Sequence, residues 1–366
     1  VVVVAGGRDA DLEEVVVRLL HQSSRGHESA TRVAVDPDAI DVDEWMPLGE
    51  LLDAGLLVGQ PVVAEVEVPV AVVRLRAPRG SAPVTELHDL ELTELSDRLH
   101  RREVSPVDLT EHLLARIAEH DDRHHAFVTT TRERALTEAK QAEAELARGE
   151  SRGPLHGIPY AAKDLFDVAG EATGAGTHLL AGNIADADAT VVRRLHGAGM
   201  VLIGKTHTVQ FAYGGAGVNH DTGTPRNPWR TDEPYVAGGS SSGSGVAVAA
   251  GLSPAALGTD TSGSVRIPAS LCGLTGLKTT VGRVPRSGVY PLSPTLDSIG
   301  PLAHSAADCA LVYEAMQGAD PGDPVTFGQA PHDVTSTLND GIAGMRLAFV
   351  DNYFFDGADP DVAAAV

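Results

Sequence analysis

Residues 237–283 read AGGSSSGSGVAVAAGLSPAALGTDTSGSVRIPASLCGLTGLKTTVGR, and this stretch decides the fold. Its Gly and Ser content is typical of a linker, but apolar runs interrupt it at Val246–Leu252 and Ala255–Leu257. Such runs have to be buried, so the segment is predicted to be packed against the rest of the protein. A packed segment this rich in Gly and Ser brings backbone and hydroxyl groups close to another part of the molecule. We therefore expect a functional site here.

The overall composition limits the classes of function that fit this chain. Its 366 residues carry 28 Lys and Arg against 50 Asp and Glu, a formal net charge of −22, which argues against direct contact with nucleic acid. No apolar run approaches the roughly 20 residues of a membrane span, so no membrane is expected as a partner. Cys272 and Cys309 stand in apolar surroundings and are predicted to be buried free thiols, which fits a reducing, cytoplasmic location.

The length of the chain favours two domains. Residues 1–82 are expected to form a small α/β extension of unknown role, and residues 83–366 the main domain. Linker composition in Arg76–Val84 places the boundary near residue 82. Helical patterns fill residues 86–150, and from residue 154 short apolar strands alternate with helices, which predicts an α/β fold. The last segment, Asp359–Val366, starts a helix that has no C-cap, so we expect that C-terminal sequence is missing.

Two familiar motifs occur in the chain, and their context argues against both. Gly199–Thr206, GMVLIGKT, matches the phosphate-binding P-loop, but its apolar middle predicts a buried strand instead of a phosphate-cradling loop. Gly239–Gly243 matches the G-x-S-x-G nucleophile elbow of α/β-hydrolases, for which Asp297 and His304 would supply the acid and the base. Turn-forming residues precede this motif, whereas an elbow needs a hydrophobic strand there, and Asp297 and His304 lie too close together in the sequence to be persuasive.

Three separated segments offer a better site. Lys163 follows an apolar strand, Ile158–Ala162. Desolvation at that position would lower the pKa of the lysine toward neutrality, so that it could act as a base. The alternative is a surface lysine paired with a nearby aspartate. GGSSSGSG at 238–245 places hydroxyls on a loop entering a helix, or is simply a flexible turn. GTDTSGSVRIP at 258–268 can point consecutive N–H groups into one space, as an oxyanion site requires, or can form a tight turn between strands. Taken singly, each segment leaves both interpretations open.

Taken together, these segments resemble the amidase signature family. The resemblance runs from about Leu87 to the end of the chain through ordered motifs: GIPYAAKDLFDVAG, DATVVRRLHGAGMVLIGKTH, GTPRNPW, GGSSSGSG, GTDTSGSVRIPASLCGLTGLKTT and LDSIGPL. It implies a central mixed β-sheet covered by helices on both faces. It also implies an amide hydrolase that needs no metal or cofactor and uses a Ser–Ser–Lys triad.

The family pattern assigns a role to individual residues of this sequence. It implies Ser264 as the nucleophile, Ser240 as the bridging serine with a cis peptide bond, and Lys163 as the base. The hydroxyl of Ser240 would lie between the other two side chains. The backbone N–H groups of Thr261, Ser262, Gly263 and Ser264 would hold the oxyanion. Residues that would line the acyl pocket are Tyr213, Gly214, Gly215 and Ala216.

Other features of the resemblance leave the substrate open. Ser262 stands where the family usually has Gly, and GLKTT at 276–280 replaces the commoner GLKPT. The run GRVPRSGVYPLSPTLDSIGPL is similar to amidases acting on small amides, including arylacetamides, and to the amidase subunit of the glutamyl-tRNA amidotransferase. We therefore expect a small-molecule carboxamide as substrate and a possible homodimer. The alternatives are a glutaminase-type subunit of a larger complex and a catalytically incomplete fragment.

Overall fold

The computed structural model describes residues 86–229, 233–331, 333–346, 356–360 and 363, together with two short strands, β1 (Leu20–Gln22) and β2 (Glu28–Ala30), which pair in antiparallel fashion. The chain divides into two compact units, and the larger one contains all described residues from 86 to 338. The α/β character expected for residues 1–82 and the boundary near residue 82 fall almost wholly outside the described residues, so both stay predictions.

The described part of the larger unit contains seven α-helices, six further strands and four 3₁₀ helices of three residues each, Leu87–Asp89, His178–Leu180, Gln210–Ala212 and Pro324–Thr326. The helices are α1 (Leu92–His100), α2 (Pro106–His124), α3 (Arg132–Ala147), α4 (Thr190–Gly197), α5 (Ser242–Ala249), α6 (Arg266–Leu271) and α7 (Ala306–Met316). The strands are β3 (Phe127–Thr130), β4 (Pro159–Lys163), β5 (Val201–Thr206), β6 (Ala255–Asp260), β7 (Thr275–Gly276) and β8 (Ser298–Ala303).

These six strands form one mixed sheet in the order β3-β5-β4-β6-β8-β7. The central strands β5, β4 and β6 are parallel, whereas β3, β8 and β7 add in antiparallel fashion toward the two edges. The mixed α/β fold expected from the sequence is therefore confirmed. The carboxyl ends of β4 and β6 meet at one edge, which is where parallel sheets place their sites.

Both faces of the sheet are buried, which explains why its strands are continuously apolar. Tyr160 and Leu202 contribute to one hydrophobic cluster, while Ala161, Val201 and Ile203 belong to a second cluster. Because successive side chains of a strand point to opposite faces, these two clusters are the two sides of the sheet. Helices cover both sides, as the sequence predicted.

The long helix α2 begins at a Ser-Pro pair, which is a favourable helix start, and it lies within the region for which helical patterns were predicted. Ser105 accepts a hydrogen bond from the N–H of Asp108 at 3.0 Å, and Pro106 occupies the first helical position, where its missing N–H costs nothing. The helix ends at His124, and the C-cap residue that follows, His125, has a left-handed backbone with φ of 55°. Phe127 then starts β3, so this cap turns the chain from α2 directly into the sheet.

The P-loop alternative fails on the structure. The last six residues of Gly199–Thr206 are strand β5 itself, which is buried and paired on both sides, so the middle of the motif has no free row of N–H groups to cradle phosphate. Lys205 is fully buried and forms an ion pair with Asp164 at 2.8 Å. Cys272 and Cys309 are buried free thiols, as predicted. Among the described residues, no helix is both long and apolar enough to cross a bilayer.

Candidate active site

Lys163 is the last residue of the central strand β4 and is fully buried. Its Nζ lies 2.8 Å from the hydroxyl of Ser240 and 2.8 Å from the hydroxyl of Thr259. Both of these partners are uncharged, so an ammonium in this position would gain no direct ion pair from them. The site therefore holds the lysine in a neutral hydrogen-bonding environment.

Burial lowers the pKa of Lys163 from 10.5 to about 7. Desolvation is the largest cause, because removing the ammonium from water disfavours its charged form. The negative charges of Asp260 and Asp297 act in the opposite direction and keep the pKa from falling further. A lysine with a pKa near neutrality is a base at physiological pH.

Ser240 lies in the turn that precedes α5, and the Gly239–Ser240 peptide bond is cis, as the resemblance implied. Its carbonyl accepts hydrogen bonds from the Thr208 hydroxyl at 3.0 Å and from the N–H of Val209 at 3.2 Å. These bonds tie the serine turn to the segment that follows β5. Ser240 is fully buried, so its hydroxyl is directed at Lys163 within a packed environment.

The segment predicted to bind substrate packs against the same turn. The N–H of Gly239 donates to the carbonyl of Gly215 at 2.7 Å, and a Cβ on Gly239 would lie 2.6 Å from the carbonyl oxygen of Gly214. Only glycine allows this close approach of two backbones. Tyr213, at the start of the segment, is 82% exposed. The structure thus brings residues 213–216 next to the serine turn and leaves the Tyr213 ring accessible to a ligand.

Ser264 lies in the turn between β6 and α6, and the carboxylate of Asp260 organises this turn. Asp260 accepts hydrogen bonds from the N–H groups of Gly263 at 2.7 Å and Val265 at 3.2 Å, and from the Arg266 guanidinium at 3.0 Å. Gly263 has φ of 130°, a conformation that side-chain-bearing residues rarely adopt. The carboxylate of a fully buried aspartate therefore curls the chain around Ser264.

The predicted oxyanion turn, residues 261–264, differs in one respect from the sequence-based expectation. The N–H of Gly263 is already bound to Asp260, whereas the N–H groups of Thr261, Ser262 and Ser264 donate no hydrogen bond within the described part of the chain. Three of the four predicted donors are therefore free to bind a ligand oxygen. The N–H of Gly263 instead stabilises the turn through its hydrogen bond to Asp260.

Two of the three predicted triad residues are in direct contact. Lys163 and Ser240 share a hydrogen bond, and the N–H of Ser241 donates to the carbonyl of Ser264 at 3.2 Å, so the two serine turns touch through their backbones. Between the described residues, no hydrogen bond joins the hydroxyls of Ser240 and Ser264. Catalytic hydrogen bonds are often loose before substrate binds, so this last link stays a prediction.

A cavity of about 200 Å³ adjoins the site at Thr259. Its wall is mostly apolar, with Arg286, Asp323 and Asp297 as its charged members. Arg286 is bound by Asp323, with Nε at 3.1 Å and Nη2 at 3.2 Å from its carboxylate oxygens. The apolar part of the wall consists of Leu165, Val289, Tyr290, Pro291, Leu292, Pro294 and Ile299.

Sequence reasoning missed Thr259, Asp260 and Asp297 as members of the site. Thr259 and Asp260 end β6, directly before the predicted oxyanion turn, and the carboxyl end of a parallel strand is where site residues collect. That rule could have found both of them. The sequence suggested Asp297 only as the acid of an α/β-hydrolase triad. Its hydrogen bond with Thr261 could not be predicted from a local pattern, because the two residues are 36 positions apart in the sequence.

The nucleophile-elbow alternative does not fit this arrangement. Residues 233–239, which the structure describes, form no strand ahead of Ser240, and α5 begins at Ser242. Asp297 and His304 stand at opposite ends of the six-residue strand β8, so they are roughly 20 Å apart and cannot share a hydrogen bond. In the part of the chain that the structure describes, no group of three His, Cys, Asp or Glu side chains is arranged to hold a metal ion.

The structure thus places a buried lysine and two serine turns at the carboxyl ends of the central strands of a mixed α/β sheet, and comparison with known proteins gives the family. The chain belongs to the Amidase family, whose model matches residues 108–366. This confirms the resemblance seen in the sequence.

Curated relatives include a glutamyl-tRNA(Gln) amidotransferase subunit of Thioalkalivibrio sulfidiphilus, which is 45% identical over 280 residues. The corresponding subunit of Azotobacter vinelandii is 47% identical over 280 residues. In both cases the match covers 76% of this chain and 57% of the relative. The chain therefore spans less than two thirds of the length of these relatives.

Solved structures with the same fold come from different enzyme systems. One is a chain of a vestigial protein complex that reveals the evolutionary origins of an s-triazine catabolic enzyme, with a TM-score of 0.74 and 44% identity over 76% of this chain and 60% of that one. Another is the peptide amidase of Stenotrophomonas maltophilia, with a TM-score of 0.65 and 41% identity over 68% of this chain and 53% of that one.

Proposed function

We propose that this chain carries the catalytic centre of an amidase that hydrolyses a small-molecule carboxamide to a carboxylate and ammonia or an amine. The observation that carries the proposal is the 2.8 Å contact between the buried Lys163 amine and the Ser240 hydroxyl. It supplies a neutral base beside a bridging hydroxyl, which is the activation that a serine nucleophile needs. Membership of the Amidase family supports the same reaction class.

The proposed mechanism moves one proton along the three side chains. Neutral Lys163 accepts the proton of Ser240, which accepts that of Ser264, and the Ser264 oxygen attacks the amide carbonyl. The N–H groups of Thr261, Ser262 and Ser264 hold the developing oxyanion, and one such donor is typically worth about 3 kcal/mol. The proton then returns through Ser240 to the leaving nitrogen, the C–N bond breaks, and water hydrolyses the acyl-enzyme.

The substrate is proposed from the surroundings of the triad. Tyr213, Gly214, Gly215 and Ala216 border the serine turn and would contact the acyl group. The cavity beside Thr259 has an apolar wall and a single guanidinium that is already bound by Asp323, which favours an uncharged amide over an anionic one. We place the reaction in the cytoplasm, since both cysteines are free thiols.

Labelling with a fluorophosphonate probe tests the proposal without knowledge of the substrate. The wild-type chain should become labelled at Ser264, as shown by peptide mass spectrometry, because the probe reacts only with an activated serine. Lys163→Ala, Ser240→Ala and Ser264→Ala should each abolish labelling. Lys140→Ala, which alters an exposed lysine of α3, is the matched control and should label normally. A folded wild-type sample that resists labelling would favour the catalytically incomplete fragment.

A glutaminase-type component of a larger complex is the second candidate. It is favoured by the 45% and 47% identity to the two glutamyl-tRNA(Gln) amidotransferase relatives. Release of ammonia from glutamine that appears only when partner proteins copurify would support it. Hydrolysis of small uncharged amides by the isolated chain would support the first candidate, and gel filtration of that sample tests the predicted homodimer.

A further inference from the structure

We propose that Asp297 is a positioning residue that joins the oxyanion turn to the wall of the adjacent cavity through one carboxylate. This inference rests on the proposed function, because it concerns the reactivity of Ser264. It adds to the triad a residue that contacts neither the nucleophile nor the bridging serine. The contacts of its two carboxylate oxygens carry the argument.

Each carboxylate oxygen of Asp297 serves a different segment. Oδ1 accepts a hydrogen bond from the Thr261 hydroxyl at 2.5 Å. Oδ2 accepts hydrogen bonds from the N–H groups of Leu292 and Ser293, both at 2.9 Å. Asp297 is only 9% exposed, so these bonds are largely shielded from bulk solvent, and hydrogen bonds to a carboxylate are strong ones.

The two segments joined in this way have separate tasks at the site. Thr261 contributes one of the three free N–H groups of the oxyanion turn, and fixing its side chain fixes the direction of that N–H. Leu292, with Tyr290 and Pro291 before it, lines the cavity beside Thr259. One carboxylate therefore sets the distance between the proposed oxyanion donors and the wall against which a substrate would rest.

Asp297 also places a negative charge near the catalytic lysine. The charged groups that bear on Lys163 are Asp260, from the end of β6, and Asp297, from the residue before β8. Asp260 is bound by Arg266, whereas the hydrogen bonds to Asp297 come from uncharged donors. The ion pair in the cavity wall, Arg286 with Asp323, is not among the causes of the lowered pKa of Lys163. Removal of the Asp297 charge should therefore lower the pKa of Lys163.

The test measures the rate of fluorophosphonate labelling at Ser264 between pH 5 and 10 for four variants. Asp297→Ala should reduce the plateau rate about tenfold or more, since a misdirected oxyanion donor loses much of its effect. Asp297→Asn keeps a hydrogen-bonding atom in place of each carboxylate oxygen, so its plateau rate should lie between those of Asp297→Ala and the wild type. Both variants should shift the midpoint of the pH profile below the wild-type value.

Two further variants separate positioning from charge. Thr261→Val removes only the hydroxyl that Asp297 binds, so its plateau should fall while its midpoint stays at the wild-type value. Asp323→Asn removes a different carboxylate of the same cavity and should leave the midpoint unchanged. Because Val is nearly isosteric with Thr, Thr261→Val tests the positioning role even if Asp297→Ala fails to fold.

The outcomes distinguish this inference from the proposed function. If Asp297→Ala and Thr261→Val label at the wild-type plateau rate, Asp297 does not position the turn and the inference is overturned. An Asp297→Asn midpoint equal to that of the wild type would overturn the part that concerns the charge. Failure of the wild-type protein itself to label would overturn the proposed function, and this inference with it.

Discussion

At the scale of single residues, burial of Lys163 makes its charged form destabilise the folded protein. A fully buried amine with a pKa of about 7, against 10.5 in water, favours the neutral form in the folded protein. The hydroxyls of Ser240 and Thr259 can each bond to a neutral amine without a charge being present. The geometry that would activate the serines is thus the same geometry that makes the ammonium unfavourable.

This destabilisation should be visible in the pH dependence of stability. Between pH 7 and 10.5 the unfolded chain holds a proton on Lys163 that the folded chain has released, so the free energy of unfolding rises with pH in this window. The destabilisation caused by a buried, protonated Lys163 is complete below its pKa in the folded protein and disappears above its pKa in the unfolded chain. Each unit of difference between the two pKa values corresponds to ~1.4 kcal/mol. Lys163→Met removes the titration, so its stability relative to the wild type should be most favourable near pH 6 and decline toward pH 10.

Urea unfolding at intervals from pH 6 to 10 checks this expectation. Lys140→Met is the matched control, because Lys140 is exposed on α3 and the same substitution is made there outside the site. If the difference between Lys163→Met and the wild type were constant with pH, Lys163 would titrate alike in both states. The proposed neutral base would then lose its electrostatic support.

At the scale of elements, the start of helix α5 is held by backbone contacts that leave no room for a side chain. The N–H of Gly243 donates to the carbonyl of His207 at 3.0 Å. A Cβ on Gly243 would lie well inside van der Waals contact with the backbone of Ala126 and His207. Because Ser240 stands three residues earlier, any shift of this helix end also moves the bridging hydroxyl.

Gly243→Ala should therefore destabilise the protein and slow labelling at Ser264. Intrinsic helix propensity alone would predict a gain of about 1 kcal/mol for this change. The clash is with backbone atoms that cannot rotate away, so we expect a net loss of about 1–3 kcal/mol. Thermal unfolding and the labelling rate measure the two effects.

Gly197→Ala provides the control within another helix. Gly197 ends α4, and a Cβ there would meet no atom within 4 Å. This variant should label at the wild-type rate with unchanged or slightly raised thermal stability. Equal behaviour of the two variants would show that the close approach at Gly243 does not hold the serine turn in place.

The same elements show how far the sequence alone could go. Hydrophobic patterns were sufficient to predict helices in the region of α2 and to predict the buried strands β4 and β5, because local patterns determine those elements. Ser240 and Lys163 could be paired only through the family resemblance, since 77 residues separate them and no local rule joins them. The engagement of Gly263 by Asp260 was not predictable, because it depends on how a short turn closes in space.

At the scale of the whole molecule, the large negative net charge affects the stability of the fold. The chain carries a formal net charge of −22, with 50 acidic residues against 28 basic ones. Such an excess disfavours the compact state through self-repulsion, because folding brings the charges closer together. Some of this repulsion is offset locally by ion pairs such as Arg134 with Asp188 and Arg286 with Asp323, but each of these leaves the net charge unchanged.

Added salt should therefore stabilise the folded protein at pH 7. Raising KCl from about 0.05 to 0.5 M shortens the Debye length below about 8 Å and screens the repulsion between distant carboxylates. We expect Tm to increase over this range, as measured by differential scanning calorimetry. Near pH 5 more carboxylates are protonated, so the increase should be smaller there. A Tm that falls with KCl at pH 7 would mean that the local ion pairs, which salt also screens, outweigh the excess of like charge.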